Sequence, residues 1–259
     1  MGRPRLRRPS FAALLAICGL VLSACGTSST DDARGPSSPR GEAVTFEASD
    51  GVKLVGRIFG EGEVGVVLAH MGRWEDTQAD WYRLARALAE RGYTALTYNR
   101  RGVCSGPGRE CSGGPDDYAT SWKDVVGASG FVRARGATDV VLIGASIGAM
   151  ASLHALATRS VEAAALIEIG GVNHRSGYDF SRKQLEALEG DKLFVSSADD
   201  TYGAADAARE WHGWAREPKQ LAILPGSAHG TDMLVDGQPT AKPLMELVLT
   251  FLEQAVPPR

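Results

Sequence analysis

Ser146, an aspartate at position 199 or 200, and His229 are far apart in this 259-residue chain, yet they have the types and order of a nucleophilic relay. Ser146 is the centre of Gly144-Ala145-Ser146-Ile147-Gly148. A serine hydroxyl is a poor nucleophile at neutral pH and needs a base within hydrogen-bond reach. His229 lies in the small-residue loop Pro225-Gly226-Ser227-Ala228-His229-Gly230-Thr231, just after the apolar segment Leu221-Ala222-Ile223-Leu224. An imidazole base needs a carboxylate to hold its tautomer and to stabilise the imidazolium. Asp199 and Asp200 follow the apolar segment Leu193-Phe194-Val195. The chemistry open to such a set is acyl transfer through a covalent serine intermediate.

The other histidines fit this role less well. His154 falls inside a helical segment among apolar neighbours and reads as packing. His212 belongs to Trp211-His212-Gly213-Trp214 and reads as helix surface. His174 lies between two strand-like segments with nothing to fix it, and His70 ends an apolar strand.

The elements around Ser146 make its motif informative. Asp139-Val140-Val141-Leu142-Ile143 precedes it, a β-branched run that reads as a buried strand. Ala149 to Ala157 follows, rich in strong helix formers. Strand, G-x-S-x-G and helix form a nucleophile elbow, where small residues two before and two after the serine make room for a sharp turn.

The rest of the chain reads the same way. Val44–Glu47 and Val52–Phe59 form an opening hairpin around Asp50-Gly51. Strands are expected at Val64–Ala69, Tyr93–Tyr98, Ala163–Ile169, Lys192–Val195 and Leu221–Leu224. Helices are expected at Asp80–Glu90, Asp116 to about Arg135, Ala204–Trp214 and Pro243 to about Gln254. Alternation of strand and helix from residue 64 onward implies an α/β class domain, a mostly parallel sheet covered on both faces, with function at the carboxyl ends of its strands.

Over residues 43–257 the chain resembles the α/β-hydrolase superfamily, on the elbow, the order Ser–Asp–His and two loops. Ser197-Ala198-Asp199-Asp200 is similar to the family's G-x-x-D, with Ser197 in the glycine slot; the match puts the acid at Asp200, with Asp199 the alternative. His70-Met71-Gly72-Arg73-Trp74 resembles the H-G-x turn, with Met71 in the glycine slot. The resemblance implies an oxyanion hole of backbone N–H groups from Ile147 and from Gly72, with Met71 next in line. Asn99-Arg100-Arg101-Gly102-Val103-Cys104-Ser105-Gly106 is similar to a family loop that is usually structural, so Arg101 reads as a brace.

Only about twenty residues separate Gly170 from Asp191, enough for one short helix around Ser181–Leu188 and no large cap domain. That pattern suits a small carboxylesterase or a dienelactone-hydrolase-like enzyme acting on small esters or thioesters, although the latter's cysteine nucleophile is replaced by Ser146. Trp74 and Trp81 are candidates either for the pocket wall or, equally, for core or surface packing. A peptidase of the same fold is the second reading, and a non-catalytic, surface-anchored binding lipoprotein the third. No cofactor and no metal are implied.

The N-terminus adds a location. Arg3, Arg5, Arg7 and Arg8 precede the apolar run Phe11–Leu22, the layout of a secretory signal peptide. Leu22-Ser23-Ala24-Cys25 resembles a bacterial lipobox, in which the cysteine is diacylated and becomes the first mature residue. The expected organisation is a signal peptide at 1–24, a flexible tether at 25–42 carrying lipidated Cys25, and a hydrolase domain at 43–259. The mature protein would then be held at the cell membrane or envelope by its acyl chains. Net charge is −3, and loss of the four leader arginines leaves −7, which offers no footprint for nucleic acid. Cys104 and Cys111 remain as an even pair in an exported chain and are expected to form a disulfide.

Overall fold

The computed structural model describes residues 41–105 and 110–259. The expected signal peptide, the expected lipidation site Cys25 and the expected tether up to residue 40 lie outside the described residues.

The chain runs β1 (Glu42–Glu47), β2 (Lys53–Phe59), β3 (Val64–Ala69), α1 (Tyr82–Ala89), β4 (Thr94–Tyr98), β5 (Cys104–Ser105), β6 (Glu110–Cys111), α2 (Trp122–Ala134), β7 (Asp139–Ala145), α3 (Ile147–Ala157), β8 (Ala165–Ile169), α4 (Arg182–Glu186), β9 (Asp191–Ser197), α5 (Ala204–Trp214), β10 (Lys219–Leu224) and α6 (Ala241–Ala255). Glu42, assigned above to the tether, is therefore the first residue of the sheet. Eight strands form one sheet in the order β1-β2-β4-β3-β7-β8-β9-β10. β1–β2 and β2–β4 pair antiparallel and the remaining neighbours pair parallel.

Hydrophobic cores line both faces. Val67, Leu142 and Leu166 of the sheet pack with Val125 of α2, Met150 and Leu153 of α3 and Trp211 of α5. Val66, Ile143 and Ile167 point the other way, onto Leu84 and Leu88 of α1 and Leu244, Val248 and Leu252 of α6. This two-sided burial explains why β3, β4 and β8 are buried at every position, and why β3 reads as an unbroken apolar run rather than an alternating one. Among the described residues no helix is long and apolar enough to cross a membrane.

The register sets up the site. Ala69 of β3 pairs with Gly144 of β7, and Gly144 with Glu168 of β8. Glu168 in turn pairs with Phe194 of β9. The carboxyl ends of these strands thus deliver the turn at 70–72, Ser146, Gly170-Gly171 and Asp199-Asp200 to one edge of the sheet.

One sequence expectation needs correction here, and one open alternative is decided. The helix expected from Asp116 begins six residues later, at Trp122. Asp117 stays extended and its side chain accepts from the N–H of Ala119, capping a separate single turn at Tyr118–Thr120. Trp81 is fully buried under α1 and Trp74 is 92% exposed, and neither lines the cleft described below. Trp81 ends a 3-10 turn capped by Thr77, which rotates the indole into the core.

The loop after β4 is braced as expected. Arg101 is buried and donates to both carboxylate oxygens of buried Asp124 and to those of Asp50. It thereby ties the loop to α2 and to the β1–β2 turn. Cys104 and Cys111 sit opposite each other across β5–β6 and are joined by a disulfide. The hairpin is fastened inward by Asn99, whose Nδ2 donates to Ser105 Oγ and to the Glu110 carbonyl, both at 2.8 Å.

Candidate active site

The backbone turns sharply between β7 and α3. Ser146 has φ 51° and ψ −115°, a conformation that costs about 1–3 kcal/mol for a residue with a Cβ and persists only where the surroundings enforce it. The enforcing contacts are very close. A Cβ on Gly144 would stand 2.3 Å from the Gly148 carbonyl oxygen, and one on Gly148 would stand 2.2 Å from that of Ala69. Any side chain at either position would push the helix off the strand. The Ser146 N–H donates to Ile169 O at 2.9 Å, anchoring the turn to β8.

Ser146 Oγ lies 2.8 Å from His229 Nε2, and His229 Nδ1 lies 2.7 Å from Asp200 Oδ2. The Asp200 side chain is 0% exposed and that of His229 14%. The other Asp200 oxygen accepts the Tyr202 N–H at 2.8 Å. Both oxygens are thus committed and the carboxylate cannot swing. Asp199 is exposed and makes no contact with the imidazole. Ser197, the departure from the G-x-x-D pattern, donates its hydroxyl to the Ala228 carbonyl and pins the loop that carries His229. With Asp200 accepting at Nδ1, the proton sits there, leaving Nε2 free to accept from Ser146.

The turn at 70–72 faces the elbow. A Cβ on Gly72 would come within 2.6 Å of Ile147 Cγ1, so the two segments touch. The N–H groups of Met71, Gly72 and Ile147 have no protein acceptor among the described residues. Tyr118 donates its hydroxyl to the Gly72 carbonyl. His70, fully buried, fixes the turn from behind: Nδ1 donates to Met71 O at 2.7 Å and Nε2 accepts from Arg100 N–H at 3.1 Å. Burial, reinforced by the Arg100 charge, brings the His70 imidazole down to about 4, so it stays neutral and keeps these two bonds.

The remaining histidines lie elsewhere. His154 packs between the rings of Trp122 and Tyr178. His212, read as helix surface, is half-buried against Phe194, and His174 is exposed and pairs with Asp179.

Ser146 and His229 open into a cleft of about 490 Å³ whose walls include Met71, Gly72, Tyr118, Ile147, Val172, Arg175, Tyr202 and Val235. Tyr118, Arg175 and Tyr202 were not singled out from the sequence. Tyr202 stands two residues after Asp200, and that proximity was the one available signal. α4, the helical piece between β8 and β9, is five residues long and does not cover the cleft.

Glu168, also passed over, is buried completely behind the site on β8. One oxygen accepts the Gly171 N–H and the other has no hydrogen-bond partner. Burial pushes its carboxyl up to about 8, against the Gly171 bond and with help from the charge of Asp200. The folded-state value is raised, so the stability Glu168 contributes is fully present below its ordinary 4.5 and is lost as pH rises through about 8. Glu168→Gln cannot ionise. Its stability relative to the wild type is expected to improve by on the order of 4 kcal/mol between pH 5 and pH 9. Urea-denaturation midpoints at pH 5, 7 and 9 measure this, and a pH-independent difference would contradict it.

Comparison with known proteins gives a consistent result. A family model described as "Alpha/beta hydrolase family" matches residues 66–255. None of the curated protein sequences compared with the chain is a significant match. Similar solved structures include the esterase Pf2001 of Pyrococcus furiosus, at 15% identity and TM-score 0.66, covering 83% of this chain and 90% of that one. The esterase EaEST of Exiguobacterium antarcticum aligns at 17% identity and TM-score 0.64, over 82% of this chain and all of its own. XC6422 of Xanthomonas campestris, described as an α/β serine hydrolase without lid, aligns at 22% identity and TM-score 0.60, covering 86% and 96%.

Proposed function

Because this chain belongs to the alpha/beta hydrolase family, we propose that it is a serine hydrolase of small esters or thioesters, working through an acyl-enzyme on Ser146. The observation that carries this reading is the unbroken path Ser146 Oγ–His229 Nε2–His229 Nδ1–Asp200 Oδ2, with links of 2.8 and 2.7 Å.

Ser146 Oγ attacks the ester carbonyl while His229 Nε2 takes its proton. Asp200 stabilises the imidazolium that forms. Negative charge on the carbonyl oxygen develops against the N–H groups of Ile147 and Gly72, with the start of α3 adding its dipole. His229 then returns the proton to the departing alkoxide and the acyl chain stays on Ser146. Water enters, gives its proton to His229 and attacks the acyl carbon. Collapse of that intermediate releases the carboxylic acid and restores the serine. An open cleft of about 490 Å³ with a five-residue α4 beside it favours short acyl groups over long lipid chains.

Hydrolysis of p-nitrophenyl acetate by the wild-type protein, with little turnover of peptide anilides, is the expected result. Preferential cleavage of the anilides would move the assignment to a peptidase.

The leader pattern and Cys25 support an envelope-anchored lipoprotein, in which the segment between Cys25 and β1 tethers the catalytic domain to the membrane. Cys25→Ser is expected to move the protein from the membrane fraction to the soluble exported fraction, read by immunoblotting. Retention in the membrane fraction would contradict the anchor.

A further inference from the structure

We propose that Arg175 recognises a carboxylate on the substrate, so that the enzyme prefers anionic esters to neutral ones. The inference rests on the ester-hydrolase reading and adds the substrate class.

The backbone of Arg175 is fixed by its own loop, and its side chain is exposed. Its N–H donates to Tyr178 O at 3.1 Å and its carbonyl accepts from Tyr178 N–H at 2.9 Å. His174, Ser176 and Gly177 all take left-handed φ values, 57°, 55° and 83°, which fold this segment back on itself and set Arg175 on the cleft wall. The guanidinium carbon lies 5.6 Å from the Tyr202 ring centre, and the Tyr202 ring lies 4.4 Å from that of His229. The cation is therefore coupled through one aromatic ring to the general base. A cation–π contact at this distance leaves the guanidinium N–H groups available to a ligand.

The charge inventory of the cleft makes the cation conspicuous. Besides Tyr118 and Tyr202, four ionisable side chains line it: Arg73, Arg175, His229 and Asp232. Arg73 is neutralised by Asp76 and by a two-bond pair with Asp232, at 2.8 and 2.9 Å. His229 is hydrogen-bonded to Asp200. Among the described residues no carboxylate pairs with Arg175. Arg175 is thus the one arginine lining the cleft that has no carboxylate partner among the described residues. A planar guanidinium with free edge donors matches a carboxylate through two parallel hydrogen bonds, and no neutral ester group offers both acceptors and charge.

Two matched pairs of esters test this. In 3-acetoxybenzoate and its methyl ester the charge is on the leaving group. In mono-p-nitrophenyl glutarate and p-nitrophenyl valerate it is on the acyl group. For at least one pair, Arg175→Ala and Arg175→Gln are expected to lower the anionic-to-neutral ratio of kcat/KM by about five- to tenfold. Arg175→Lys should keep part of the ratio, and added salt should shrink the wild-type ratio. Ratios unmoved in both pairs would overturn the proposal while leaving the esterase reading intact.

Calorimetric binding of 3-acetoxybenzoate to Ser146→Ala, with and without Arg175→Ala, separates the two ideas. Binding that depends on Arg175, in a protein that hydrolyses none of the four esters, would sink the esterase reading and keep the anion site. Absence of both binding and turnover would remove both.

Discussion

Ser146→Ala is expected to lower kcat for p-nitrophenyl acetate by about 10⁴–10⁶-fold while leaving a folded protein with a similar melting temperature. The serine supplies the atom that becomes bonded to the acyl group, and no neighbouring side chain can replace it. Val172, Met71 and Ile147 near it are apolar, and the other hydroxyl groups of the cleft lack a base at hydrogen-bond distance. Its own loss disturbs little packing, because the strained turn is enforced by Gly144, Gly148 and the bond from Ser146 N–H to Ile169 O. His229→Ala should cost a similar factor. The double variant should lose no more than either single one, because serine and imidazole act as one unit. Additive losses in the double variant would show that the two residues work independently and would remove the relay.

Asp200→Asn is the second large effect, about 10⁴-fold in kcat at neutral pH, with the structure almost unchanged. The amide that replaces the carboxylate is held in the same place by the Tyr202 N–H, which keeps the carbonyl oxygen on Tyr202 and turns the NH₂ group toward His229 Nδ1. Nδ1 must then accept instead of donate. The ring proton moves to Nε2, the atom that has to take the proton of Ser146. Asp199→Asn is the matched control. Asp199 is exposed and away from the imidazole, so its activity should stay within about twofold of wild type. Equal losses in the two variants, measured by steady-state kinetics at pH 7.5, would contradict the assignment of the acid.

What could be read in the sequence were local constraints with one physical solution. A serine between two glycines at a strand–helix junction admits one tight turn. Apolar runs such as Val64–Ala69 and Ala165–Ile169 can be buried only as strands covered on both sides. His229 stood out because its small-residue loop follows the last strand of the sheet. The choice between Asp199 and Asp200 was not local. It depended on which side chain the turn after β9 directs inward, and that turn is shaped by Ser197 bonding to Ala228, 31 residues away.

The cleft walls were equally illegible. Tyr118, Arg175 and Tyr202 come from three separate loops, and nothing in their spacing shows that they converge. The tryptophans could not be decided between pocket and packing from the sequence. Trp74 follows the oxyanion turn closely in sequence, but Arg73 bonds to Asp76 and Asp232, and the indole is left facing solvent. Glu168 was hidden within a strand that reads as apolar, where a carboxyl can remain because burial keeps it protonated at neutral pH.

The central claim is that three distant side chains make the Ser146 hydroxyl an attacking group. The most direct measurement is peptide mass spectrometry of the full-length protein after exposure to a fluorophosphonate. A single adduct on Ser146 is predicted, formed rapidly in the wild type, slowed by at least about 100-fold in His229→Ala and absent in Ser146→Ala. No adduct, or one on another residue that survives Ser146→Ala, would contradict the account.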